Sequence, residues 1–156
     1  MQIGVVYYSR TGHTAFLAEE IIRELKVAGH LVDDIRLETQ EPLDFQARQA
    51  ALKQMPAIEA YDVLIVGTPV HGGRISAPVQ TFLEDLPSLS GKKVSFFLTH
   101  FFPRQWGAIQ TISMMEELSA VKEGETAGSV DVTWISLRRK KQIKAAVDEL
   151  CKWVLG

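Results

Sequence analysis

The chain has 156 residues, 46% of them hydrophobic, enough for one domain with a sizeable core. A formal net charge of −2 leaves no basic footprint for nucleic acid at the level of the whole chain. A single cysteine, Cys151, excludes an internal disulfide and a thiolate metal cluster and points to a reducing compartment.

The first predicted element is a strand over residues 3–8, which starts so near Met1 that no signal peptide is expected. No apolar run approaches the roughly 20 residues that span a bilayer, so a soluble, cytoplasmic protein is expected. The strand ends in the turn Ser9-Arg10-Thr11-Gly12-His13-Thr14. From there Leu17, Ala18, Ile21, Ile22, Leu25 and Ala28 recur at the spacing of one helix face, which predicts a helix over 14–28. The turn thus joins a strand's carboxyl end to a helix's amino end, where unpaired N–H groups carry partial positive charge. Ser9, Thr11 and Thr14 add hydroxyls at that point, and Gly12 lets the backbone approach a ligand. Such a turn suits an anion, above all a phosphate. It is not a nucleotide-triphosphatase loop, since no lysine follows Gly12, nor a dinucleotide fingerprint, since it holds one glycine. Only Arg10 and His13 are at hand to offset the charge.

Further apolar runs predict strands over 31–37, 63–67, 93–99 and 129–136, and helical patterns cover roughly 43–55, then 76–86, 108–118 and 139–155. Val63-Leu64-Ile65-Val66 is apolar at every position, as in a parallel strand covered on both faces. Five strands alternating with five helices predict an α/β domain over 1–156, an open parallel sheet with helices on both faces. Ligands bind such sheets beyond the strands' carboxyl ends, which directs attention to two more loops. One is Thr68-Pro69-Val70-His71-Gly72-Gly73-Arg74. The other, Thr99-His100-Phe101-Phe102-Pro103-Arg104-Gln105-Trp106-Gly107, is rich in aromatics where a bland loop is polar. No histidine pair has metal-ligand spacing on a helix face, so no metal is predicted.

The pattern [ST]-x-T-G-x-T after the first strand resembles the phosphate loop of the flavodoxin family, which holds the phosphate of FMN. Residues 68–73 resemble that family's second flavin-contacting loop. The resemblance implies a three-layer flavodoxin-like fold with a five-stranded parallel sheet in the order 2-1-3-4-5. It implies that Ser9, Arg10, Thr11, Gly12, His13 and Thr14 wrap the phosphate. Thr68, Pro69, Val70, His71, Gly72 and Gly73 then line one side of the isoalloxazine. Thr99, His100, Phe101, Phe102, Trp106 and Gly107 line its other edge. His71 stands where the family commonly places a flat side chain against the ring. Gly72 stands where a peptide flips toward the flavin N5, a move that glycine makes cheap. The competing readings are a solvent-exposed histidine at 71, a plain tight turn at 72–73, and core packing of Phe101 or Trp106 against the following helix.

The implied function is electron carriage between redox partner proteins, with FMN as cofactor. The alternative is a flavin-dependent reductase or oxidase of the NAD(P)H:quinone or protoporphyrinogen type, acting on a small quinone-like acceptor. The candidate loops carry His71, Arg74, His100 and Arg104 and no carboxylate, unlike acidic low-potential flavodoxins. An inward-pointing cation about 6 Å from the reduced ring stabilises its negative charge by roughly 3 kcal/mol at an effective dielectric near 20. That raises the potential and favours the alternative. A receiver-type domain is disfavoured, because Ser9-Arg10 and Thr68-Pro69 stand where it needs acidic residues. A scaffold that has lost FMN would be colourless. Arg138, Arg139, Lys140 and Lys141 open the last predicted helix, either as a solvated end or as a docking patch for an acidic partner. Cys151 has no nearby histidine to activate it and is expected to be a core or half-buried thiol.

Overall fold

A computed structural model describes residues 1–44 and 46–155. In chain order the elements are β1 (Gln2–Tyr7), α1 (His13–Val27), β2 (Leu31–Arg36), β3 (Val63–His71), β4 (Arg74–Ile75), α2 (Ala77–Asp85), β5 (Lys93–His100), α3 (Ala108–Val121), β6 (Glu125–Thr133) and α4 (Arg139–Leu155). Five strands pair in parallel as β2-β1-β3-β5-β6, the expected order of the five long strands. The sixth, β4, folds back antiparallel on the end of β3, pairing Val70 with Ile75 and His71 with Arg74. Gly72 and Gly73, at φ 55° and 77°, supply the two positive dihedrals that a two-residue hairpin turn requires.

Alternation along the strands sends side chains into two cores. Ile3, Val5, Tyr7 and Phe97 pack with Leu17, Ile21, Val147 and Leu150 beneath α1 and α4. Val6, Leu64, Val66, Phe96 and Leu98 pack with Val79, Phe82, Leu83 and Met115 beneath α2 and α3. Gly67 makes room for the first core, because a Cβ there would sit 2.0 Å from the Phe97 ring. Cys151 lies half-buried beside α1, its thiol pushed up to about 11 by burial and by Glu24 and Asp148. Among the described residues no helix is long and apolar enough to cross a membrane.

Several predicted elements differ. The third strand runs past the expected residue 67 to His71, so Thr68 to His71, expected as loop, are strand residues held by pairing with β5 and β4. The expected helix over 43–55 does not form at any described residue of that stretch; Phe45 lies outside them. Instead the chain doubles back through an antiparallel bridge between Thr39 and Leu52, with the Gln40 N–H on the Ala51 carbonyl and the Lys53 N–H on that of Glu38. Most of its described side chains are exposed, so a helix there would have little apolar surface to bury, and packing supplies most helical stability. The last strand starts at Glu125 rather than 129 and ends at Thr133 rather than 136. The apolar residues Trp134 and Ile135 lie beyond it, in a connection anchored by the Trp134 N–H on the His100 carbonyl at 2.7 Å.

Candidate functional site

The turn after β1 is held from within. Gly12, at φ 93°, is the N-cap of α1, and its carbonyl takes the Phe16 N–H at 2.9 Å. The buried Ser9 Oγ accepts the Ala15 N–H at 3.1 Å, and Arg36 donates to the Ser9 carbonyl at 2.8 Å. The amides of Gly12, His13 and Thr14 belong to the first turn and have no carbonyl within the helix to reach. The Thr14 hydroxyl, also buried, pairs with the Thr99 hydroxyl at 2.8 Å, tying this turn to the end of β5. Thr11 keeps its side chain exposed.

The second loop is the β3–β4 hairpin. At its base the buried Thr68 Oγ1 accepts the Ser76 N–H at 3.1 Å and meets the Ser76 hydroxyl at 2.7 Å. At its tip His71 sets its ring edge-on to Tyr8, centroids 6.2 Å apart. Burial, helped by the Arg10 charge, pushes His71 down to about 4, so its imidazole is neutral near pH 7. Gly73 abuts the third loop: Gly107, at φ 122°, lies so close that a Cβ on it would fall 2.6 Å from the Gly73 Cα.

The third loop, 99–107, is tied to the neighbouring strand. His100 is buried, with Nδ1 2.6 Å from the Phe102 carbonyl oxygen and Nε2 2.7 Å from Asp131 Oδ2. The other Asp131 oxygen accepts the Arg104 Nε–H at 2.9 Å. Burial alone would raise Asp131, but the hydrogen bond from His100 and the Arg104 charge hold it below the usual carboxylate range. Phe101 meets the His13 ring edge-on at 5.3 Å. His13 in turn stacks on Trp134 at 4.4 Å and 16°, and the Arg139 guanidinium lies 5.1 Å above the Trp134 ring. Burial and Arg139 lower the His13 pKa, which makes it a poor cation for a phosphate.

Between the three loops lies a cavity of about 400 Å³, within the range of small-molecule sites. Of the residues singled out in the sequence, Arg10, Thr11, Thr14, Pro69, Val70, His71, Gly72, Thr99, His100 and Phe101 reach its wall. Ser9, Gly12 and Thr68 stand behind the wall as the hydrogen-bonded frame described above. His13 belongs to the aromatic stack. Gly73 and Gly107 form the seam between two loops, and Phe102 and Trp106 lie outside, tilted against each other at 5.9 Å and exposed. A somewhat larger groove, about 470 Å³, runs between α1 and α4. It shares Trp134 but lacks the convergent hydroxyls and first-turn amides, so the smaller cavity is the candidate site.

Two wall residues, Gln46 and Trp134, escape the sequence reading. Gln46 falls inside the mispredicted helix and is delivered by the Arg74 guanidinium, which donates to its carbonyl at 2.8 Å. Trp134 falls inside the overextended strand. Its signal is its place: the segment after the last strand also opens at the carboxyl end of the sheet. The cation-rich reading of the loops changes as well. Arg74 is spent on Gln46 and Arg104 on Asp131, a carboxylate supplied by β6. Arg10 is the arginine on the wall.

Over 92 residues the chain is 36% identical to an NAD(P)H dehydrogenase (quinone) of Gluconacetobacter diazotrophicus, covering 54% of this chain and 46% of that protein. It is 33% identical over 98 residues to the flavodoxin of Megasphaera elsdenii, covering 61% of this chain and 62% of that one. The alignments thus span about half to three-fifths of these curated relatives. The solution structure of two-electron reduced M. elsdenii flavodoxin matches 94% of this chain and 98% of its own at a TM-score of 0.66 and 24% identity. A flavoprotein of Lactobacillus acidophilus, solved in complex with FMN, matches 93% and 97% at 0.64 and 18%. The model of the flavodoxin domain matches residues 4–149, nearly the whole chain, and the chain belongs to that family.

Proposed function

We propose that the chain is an FMN-binding redox protein whose cofactor lies in the cavity between the three loops. The observation that carries this is the meeting, on one wall, of the α1 amino end with the apolar slot of Pro69, Val70 and Phe101. The fit is chemical as well as spatial. First-turn amides, the Thr11 hydroxyl and the Arg10 guanidinium are donors suited to one phosphate. The slot beyond them suits a flat ring, and the β3–β4 hairpin with its two glycines lets backbone approach that ring's edge. FMN, when bound, supplies reversible electron transfer. The chain's own residues bind, orient and shield it: Ser9 and Thr14 fix the turn, and neutral His71 walls one side without adding charge.

Calorimetric titration with FMN, alongside the visible absorption of the protein as purified, tests this reading. Binding is expected, weakened about tenfold in Thr11→Val by loss of one charge-assisted hydrogen bond. A colourless protein that takes up no FMN overturns it.

A second reading, a flavin-dependent quinone reductase, is consistent with the relationship to the Gluconacetobacter protein. Steady NAD(P)H consumption with a quinone by the pure protein selects it, and silence until a partner reductase is added selects the carrier. For the carrier, the exposed Arg138, Lys140 and Lys141 at the start of α4 offer a docking patch for an acidic partner, next to the cavity through Trp134. The lone thiol fits a cytoplasmic setting.

A further inference from the structure

Both ring nitrogens of His100 point at atoms that only accept. Nδ1 is 2.6 Å from the Phe102 carbonyl oxygen, which has no proton to give. Nε2 is 2.7 Å from Asp131 Oδ2, on a carboxyl whose other oxygen already takes the Arg104 Nε–H. A neutral imidazole has one N–H and would set a lone pair against one of these acceptors. In a side chain 4% exposed, water cannot relieve that contact. We infer that His100 is held as an imidazolium, so that two cations share the one Asp131 carboxylate and a net positive charge stands in the cavity wall. Resting on the reading of the cavity as an FMN site, this charge makes His100 a positioning residue that favours reduced over oxidised FMN.

Charged groups face the His100–Asp131–Arg104 group from several elements. Across the cavity stand Arg10, a cation, and His71, neutral near pH 7. From β6 comes Asp131 and from the loop Arg104, while Glu149 of α4 lines a shallow outer groove with both. The same clamp explains how a loop of exposed residues keeps its shape. The Asp131 to His100 to Phe102 chain pins its first turn to β6, and Trp134 donates to the His100 carbonyl from the other side.

Long-range ¹H–¹⁵N spectra of the flavin-free protein read the ring directly. Both His100 nitrogens are expected in the protonated range near pH 7, one facing the Phe102 carbonyl and the other Asp131. One unprotonated nitrogen near pH 7 overturns the inference, whether or not FMN binds. The second arm measures the ratio of affinities for reduced and oxidised FMN. His100→Gln is expected to cut the preference for reduced FMN about tenfold, and the exposed Arg104→Gln to cut it less. An unchanged ratio in both overturns the role assigned to the charge. The spectroscopic arm uses the unaltered chain, so a variant that fails to fold does not remove the test.

Discussion

The turn at 9–14 and the loop at 99–107 stand at the same end of the sheet and are held by opposite means. The turn's backbone is closed by bonds to near neighbours, the Ala15 amide reaching back six residues to Ser9 and Phe16 reaching Gly12, with Arg36 and Thr99 added from other strands. The loop is closed at long range, by Asp131 across 31 residues, by Thr14 across 85, and by the backbone of Gly73. A turn that supplies its own partners carries its conformation in its own letters. A loop whose partners arrive with other strands has no conformation to read until the sheet assembles.

The comparison can be broken at its strongest point. Asp131→Ala leaves the buried His100 charge without its carboxylate, and urea unfolding should lose about 3 kcal/mol or more. Hydrogen exchange should rise across 99–107 and stay unchanged over 9–14. Gly107→Ala comes next. Its Cβ must displace the Gly73 backbone and sit at φ 122°, so a loss of about 2 kcal/mol is expected, with weaker FMN binding measured by calorimetry. Thr14→Val and Thr99→Val each remove one buried hydroxyl from the pair that links the two regions. Each should cost about 1 kcal/mol, and the double variant less than their sum, since one bond is lost either way.

The smallest effect is a slope. Unfolded His71 takes a proton below its ordinary 6.5, whereas folded His71 does so only below about 4. Between those values the unfolded state binds more protons, so stability falls as pH drops through that window. His71→Gln should flatten the acid limb there in a denaturation series. Asp131 acts lower on the scale: its depressed carboxyl withholds its contribution only as pH falls below its ordinary 3.8.

Much of the framework was legible. Val63 to Val66 reads as a doubly covered strand and is buried throughout, and the apolar faces of α1, α2 and α4 fall where periodicity puts them. The parallel order followed from the family resemblance. Legibility failed where local pattern and packing part company. Residues 43–55 carry helix-forming letters, yet with little apolar surface to bury they follow an antiparallel bridge instead. Trp134 continues an apolar run and so reads as strand, but β6 stops at Thr133 and the indole goes to His13. His100 reads as a loop histidine open to a ligand. Only β6, lying beside β5, brings the carboxylate that claims one of its nitrogens.

By itself the sequence determined the alternation of strand and helix, the glycine-bearing turn at the head of α1, and the end of the sheet at which the candidate loops gather. Each of these depends on periodicity or on partners a few residues away. Which side chains reach the cavity, and which charges survive beside it, was decided by the tertiary structure. Those outcomes depend on pairings such as Thr14 with Thr99 and His100 with Asp131, whose members meet only when separate strands are laid side by side.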